Sequence, residues 1–184
     1  VVEGWNDPRM PTIAGLRRRG VPPAAIREFC SRVGVTKQSN VVEMELLEFC
    51  IRQELESNSP RAMCVLEPLK VVITNWDQGE LLLEAPWHPK QENLGSRSMP
   101  FSGTLYIERE DFSLEPPSKW KRLKPGGLVR LRYGFIIQCD EVLHGENGEL
   151  IELRCRYFPE SRSGQDTSGL KPKGVIHWVS ESLS

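Results

Sequence analysis

Lys119-Trp120-Lys121-Arg122-Leu123-Lys124-Pro125-Gly126-Gly127-Leu128-Val129-Arg130-Leu131-Arg132-Tyr133 decides how the rest of the chain is read. A basic cluster precedes a Pro-Gly-Gly turn, and a strand-like run follows it. Side chains alternate across a strand, so Val129, Leu131 and Tyr133 share one face and Arg130 and Arg132 the other. With a rise of ~3.3 Å per residue the two guanidiniums stand about 7 Å apart. Lys121 and Arg122 lie across the turn. Four cations able to converge suit phosphates or base edges, because arginine donates in a fork. The same face also reads as ordinary solvated charge, and pattern alone leaves both readings standing.

The totals around this stretch limit the choices. With 184 residues and 39% hydrophobic content there is enough chain for one large or two small domains with a packed core. The net charge of −1 argues against a protein that coats nucleic acid by bulk charge. Up to Pro60 there are 8 Lys+Arg against 8 Asp+Glu, and beyond it 16 against 17, so any nucleic-acid contact must come from local clustering. Five cysteines without a CxxC pair suit buried thiols in a reducing compartment, not a disulfide framework or zinc site. The three histidines are far apart, and no other ligands stand at metal-binding spacing. No phosphate-cradling loop, nucleophile elbow or H-E-x-x-H motif is present, so no catalytic residue and no metal ligand is assigned. No apolar run reaches the ~18 residues of a membrane span.

Residues 1–60 read as helical. Thr12 is a candidate N-cap for Ile13–Arg19. Pro22-Pro23 opens a helix over Ala24–Val33, and Gly34 ends it. Its Ile26, Phe29, Cys30 and Val33 are spaced to face a core. Asn40-Val41-Val42-Glu43 resembles a capping box, which predicts a helix from Val41 to about Ser57 with Met44, Leu47, Cys50, Ile51 and Leu55 on its apolar stripe. Lys37-Gln38-Ser39-Asn40 precedes that helix; it reads as a capped connection or as a place where free N–H groups meet a phosphate.

After Pro60 the period shortens. Strands are predicted over 62–66, 70–76, 80–84, 101–108, 128–133, 134–143, 149–158 and 174–179. Asn147-Gly148 signals a hairpin. Residues 159–172, rich in Ser, Gly and Pro with little apolar content, are expected to form a mobile loop. The fold class is α+β: a helical part over residues 1–60, then a mainly antiparallel β-barrel over 61–184.

A family resemblance emerges from several segments together. Glu3-Gly4-Trp5-Asn6-Asp7-Pro8-Arg9-Met10-Pro11-Thr12, then Gly15-Leu16-Arg17-Arg18-Arg19-Gly20, Ile26-Arg27-Glu28-Phe29-Cys30 and Gly34 to Asn40 resemble glutaminyl-tRNA synthetases. So do Ser98 to Gly103, Lys121-Arg122-Leu123, Val129 to Arg132 and Lys173 to Ser180. The Trp-x-Asp-Pro-Arg segment also fits the related glutamyl enzymes. Thr36-Lys37-Gln38 with the Glu43-Met44 helix start points to the glutaminyl branch.

The resemblance implies a helical subdomain that touches the tRNA stem and a proximal anticodon-binding barrel of the ribosomal L25-like kind, left incomplete because the closing chain of a distal barrel does not follow. It implies Arg61, Lys121, Arg122, Arg130 and Arg132 as anticodon-binding residues, converging on one concave face, and Lys37, Gln38 and Glu43 as stem contacts. The partner implied is the tRNA for glutamine, with no DNA and no membrane. The site is expected in the cytoplasm, on a monomer able to associate through an open sheet edge. ATP and magnesium belong to the parent ligase; its two ATP motifs are not in these residues, so this portion is expected to be inactive alone. Two other functions fit the same architecture: a stand-alone RNA-binding or interaction module, and part of a glutamyl-type ligase.

Overall fold

A computed structural model describes residues 2–183, with side chains through Ser182. Val1 and Ser184, the outermost residues of the two divisions 1–60 and 61–184, lie outside the described residues. The chain separates into two compact units, Val1–Pro60 and Arg61–Ser184. No helix among the described residues is long and apolar enough to cross a membrane.

The first unit holds three helices: α1 (Ile13–Arg18), α2 (Pro23–Val33) and α3 (Met44–Asn58). Thr12 caps α1, its Oγ1 accepting from the Gly15 N–H at 2.9 Å. Before it, Asp7 is buried and accepts from the backbone N–H of Arg9 at 2.9 Å and from its guanidinium at 2.7–2.9 Å. These bonds hold the Asp7 carboxyl down to about 2. Helices α2 and α3 pack together through Ala25, Leu47 and Cys50, and the Arg32 guanidinium stands 5.2 Å from the Phe49 ring centroid.

Helix α3 starts later than expected. Glu43 is its N-cap residue, with extended φ −72 and ψ 143, and makes no side-chain capping bond, so the capping box does not form. Val41 and Val42 are β-branched and exposed, so a helix there would restrict their side chains and bury nothing. The apolar stripes are correspondingly narrower. Met44 and Leu55 are exposed, as is Cys30, whereas Leu47 and Cys50 are buried.

The second unit contains β1 (Pro68–Ile73), β2 (Leu81–Pro86), β3 (Ser96–Phe101), β4 (Thr104–Glu108), β5 (Leu128–Leu131), β6 (Ile136–His144), β7 (Leu150–Phe158), β8 (Val175–Ile176) and β9 (Val179–Ser180). β2 and β3 form an antiparallel hairpin. The other seven form a mainly antiparallel sheet in the order β8-β5-β6-β7-β1-β4-β9, with β1–β7 and β5–β8 parallel. Its two outer strands, β8 and β9, are separated in sequence only by His177 and Trp178. Three Cα steps span at most about 11 Å. The sheet therefore curls into a half-barrel, with its two edges bridged by covalent chain and not by a ladder.

One apolar cluster fills the curl. Inward residues alternate along the strands: Leu69, Val71 and Ile73 on β1, Leu105 and Ile107 on β4, Val129 and Leu131 on β5. Trp178, Phe101, Phe135, Tyr157 and Trp76 pack edge-to-face, with neighbouring centroids 4.9–5.2 Å apart. The β6–β7 connection carries a turn from Gly145 to Gly148, with Gly148 at φ +81. Asn147 stays at negative φ, so this is a three-residue loop closed by a left-handed glycine, not a two-residue Asn-Gly turn.

Three expectations, two about strands and one about thiols, are corrected here, and the loop 159–172 makes more hydrogen bonds than its composition suggests. The predicted strand 62–66 is unpaired chain: the backbone N–H groups of Leu66 and Glu67 bond the Glu108 carboxylate at 2.6 and 3.0 Å, and no strand ladder forms. The single strand expected over 174–179 is split into β8 and β9 on opposite sheet edges. Residues 159–172 are pinned by polar side chains despite their low apolar content. Ser161 is fully buried and its Oγ accepts from the Ile136 N–H at 2.7 Å, while the Ser163 hydroxyl donates to the Gly134 carbonyl at 2.9 Å. Not all thiols are buried either: Cys50, Cys139 and Cys155 are, but Cys64, like Cys30, is exposed.

Candidate nucleic-acid interface

Arg122 follows the Pro117–Trp120 turn, in which Lys119 takes φ +71, and directly precedes Leu123, which is fully buried. Its Nε donates toward Asp111 Oδ1 at 3.1 Å and its Nη1 toward Glu110 Oε1 at 3.3 Å. Burial pushes the Asp111 carboxyl up, and Arg122 and His177 oppose that rise. With Nε and Nη1 engaged, the outer Nη2 remains for a ligand. Arg122, Arg132, Asp111 and His177 line one cavity of about 390 Å³, floored by Ala62, Met63 and Cys64. His177 Nε2 stands 4.0 Å from Glu108 Oε1, and the Leu66 and Glu67 N–H groups hold the Glu108 carboxyl below its ordinary range.

Arg132 enters this cavity from beyond the end of β5. Its N–H bonds the Ile176 carbonyl at 2.9 Å, and its own carbonyl accepts from Trp178 Nε1 at 2.9 Å. The β5 strand ends at Leu131, and Tyr133 adopts φ +62 and is only half-buried. The alternation read from the sequence therefore stops before Arg132.

Arg130 lies in a different neighbourhood. Its Nη1 donates to the Ser161 carbonyl at 2.7 Å and its Nη2 pairs with Asp166. Asp166 in turn accepts from the Ser168 N–H and hydroxyl at 2.9 and 2.7 Å, and these bonds with Arg130 hold its carboxyl low. Arg61 is exposed, its N–H bonded to the Trp87 carbonyl at 2.6 Å, one residue before the cavity floor. Lys121 lines a second pocket, of about 240 Å³, that Arg122 also borders. The structure thus joins Arg122 with Arg132 in one cavity and with Lys121 in the next. Arg130 borders neither of these cavities and is engaged by the loop 159–168.

Lys37, Gln38 and Glu43 lie on the exposed connection between α2 and α3, where the Gln38 N–H bonds Thr36 Oγ1 at 3.1 Å. Sequence reasoning weighed Trp120 as a base-holding aromatic but gave no role to Lys124, Lys171 and Lys173, which line the second pocket with it. Lys124 belongs to the basic cluster before the Pro-Gly-Gly turn, and the sequence signal for Lys171 and Lys173 is the Lys-Pro-Lys-Gly run before β8, about fifty residues away. Among the described residues no group of three or more His, Cys, Asp or Glu could hold a metal ion.

Comparison with known proteins adds the family. Residues 59–158 match the anticodon-binding domain of class I tRNA synthetases (E and Q), and residues 1–57 match the catalytic domain of the same group. The chain is 52% identical over 184 residues to glutamine–tRNA ligase of Bradyrhizobium diazoefficiens, covering 100% of this chain and 33% of that protein. It is 53% identical over 180 residues to the Haemophilus influenzae glutamine–tRNA ligase, covering 98% and 32%, and 51% identical over 180 residues to the Clostridium perfringens one, covering 97% and 33%. The chain spans about a third of the length of the curated relatives it matches.

Proposed function

Because the chain belongs to the class I tRNA synthetases of the E and Q group, we propose that it is the tRNA-recognition portion of a glutamine–tRNA ligase. The parent reaction joins glutamine to its tRNA with ATP and magnesium, to which no residue here is assigned. In this reading Arg61, Lys121, Arg122, Arg130 and Arg132 hold the anticodon nucleotides in a barrel of the L25-like kind, and Lys37, Gln38 and Glu43 meet the inner stem. The protein works in the cytoplasm as a monomer. Its half-barrel edges take a completing strand or, lacking one, associate with another copy, since unpaired edges invite pairing.

The observation that carries this reading is the cavity shared by Arg122 and Arg132. Arg122 is oriented by the nearly buried Asp111, and Arg132 has no ion-pair partner among the described residues. Arg132 can donate in two-point fashion to a base edge and Arg122 through Nη2 alone, whereas lysine suits the backbone phosphates. Single-stranded RNA is read by such splayed-base pockets.

The test is Arg122→Ala and Arg132→Ala in the full-length ligase, with charging kinetics on cognate tRNA and on anticodon-mutant tRNAs. Each change is expected to cost about 1–3 kcal/mol on the cognate and to relax discrimination at one anticodon position. Discrimination equal to that of the parent enzyme would remove these arginines from base readout.

A further inference from the structure

At least five of the 16 Lys and Arg residues of the β unit sit beside a carboxylate. Arg122, Arg130, Arg154, Arg156 and Lys70 each have a carboxylate within ion-pair distance. The second pocket departs from this. Lys121, Lys124, Lys171 and Lys173 border it with Arg122, and no carboxylate lines it among the described residues. None of the four ammonium groups has an ion-pair partner among the described residues.

The convergence is built by backbone packing. Segment 171–174 lies so close to segment 120–124 that a Cβ on Gly174 would stand 1.9 Å from the Lys121 carbonyl oxygen. Only glycine allows that approach. Trp120 lines the same pocket, half-buried, and its Nε1–H is bonded to the Leu123 carbonyl at 2.9 Å, which holds the indole at the rim. Four unpaired lysines beside an anchored aromatic ring favour a ligand that carries anionic groups together with a planar one.

We propose that the pocket between Trp120–Leu128 and Lys171–Lys173 is a nucleotide subsite for single-stranded RNA, in which the lysines hold two consecutive backbone phosphates and the Trp120 ring stacks on the base between them. The proposal rests on the tRNA-recognition reading and adds a phosphate-and-stacking site beside the arginine cavity. Stacking reads no base identity, so the subsite grips the strand without regard to sequence while the arginine cavity discriminates.

The experiment is fluorescence anisotropy with this chain and a labelled RNA hairpin carrying a seven-nucleotide single-stranded loop, over a series of salt concentrations. Lys171→Gln with Lys173→Gln is expected to reduce the slope of log affinity on log salt by about 1.4, at about 0.7 per lost single-strand contact. Trp120→Leu is expected to weaken binding about 5- to 150-fold, the range of one lost base–aromatic stack, with the slope unchanged. Circular dichroism and denaturation checks that both variants fold. An unchanged slope in the double lysine variant, with binding still dependent on Arg122 and Arg132, overturns the subsite alone. Absence of any hairpin binding by the unsubstituted chain overturns it together with the tRNA reading. A free nucleoside monophosphate that displaces the hairpin at equal concentration also overturns it, since it would make the pocket a small-nucleotide site.

Discussion

Trp178 tests how the two edges of the curled sheet are held together. Its ring is 1% exposed and meets Phe101 edge-on at 5.2 Å and 76°. Its Nε1–H satisfies the Arg132 carbonyl at 2.9 Å. Trp178→Ala opens a cavity at the junction of β8 and β9, and emptying a buried aromatic site costs about 3–5 kcal/mol. Orphaning the Arg132 carbonyl adds about 1–3 kcal/mol where water does not reach it. The sum approaches the about 5–15 kcal/mol by which a domain is stable, so the alanine variant is expected to be largely unfolded under mild conditions. Trp178→Phe keeps most of the ring and loses the hydrogen bond, at a total of about 2 kcal/mol. Urea denaturation followed by circular dichroism measures both, with a common m-value as the check on two-state behaviour. The phenylalanine variant should also weaken the contribution of Arg132 to RNA binding, because the freed carbonyl lets the 132–134 turn move. An alanine variant within about 1.5 kcal/mol of the parent, well under the aromatic range, would refute the assignment of Trp178 as the seam filler.

Asp166→Asn removes the carboxylate that engages Arg130; stability should change little, as for other solvent-screened pairs, while RNA affinity at low salt rises because the guanidinium is released to phosphate. Equal or weaker RNA binding in a hairpin anisotropy assay would show that Arg130 does not reach RNA. The folded-state carboxyl of Asp7, at about 2, lies below its ordinary 3.8. It therefore stabilises the fold above about pH 4, and that contribution disappears as pH falls through 2. Denaturant titrations of Asp7→Asn and the parent should differ at neutral pH and converge toward pH 2; a gap that persists at pH 2 would assign the effect to packing. Finally, exposed Cys30 and Cys64 should react rapidly with a thiol reagent in the native protein, and Cys50, Cys139 and Cys155 only after unfolding. Three or more fast thiols would contradict the burial described for Cys50, Cys139 and Cys155.

Much of the architecture was legible because it depends on local chemistry. Thr12 caps α1, Gly34 ends α2, and the alternation of Leu105 with Ile107 and of Val129 with Leu131 marks the inner faces of β4 and β5. The change from helical to strand period near Pro60 coincides with the break between the two compact units. The family was legible too, since segments scattered from Glu3 to Ser180 resemble one group and the matched domains belong to it.

Tertiary structure decided where the charges go. Capping at Asn40 was overridden because nothing packs on Val41 and Val42, and the helix begins where burial of Leu47 repays its ordering. Arg130 and Arg132 are two residues apart, yet one is bound by Asp166 across 36 positions and the other joins Arg122 and His177 in a cavity. The lysine pocket exists only because Gly174 lets its segment lie against Lys121. A sequence specifies the period of a strand over a few neighbours. Which carboxylate reaches which guanidinium depends on the curl of the whole sheet, because side-chain contacts are set by distances in space and long-range partners leave no periodic mark on the chain.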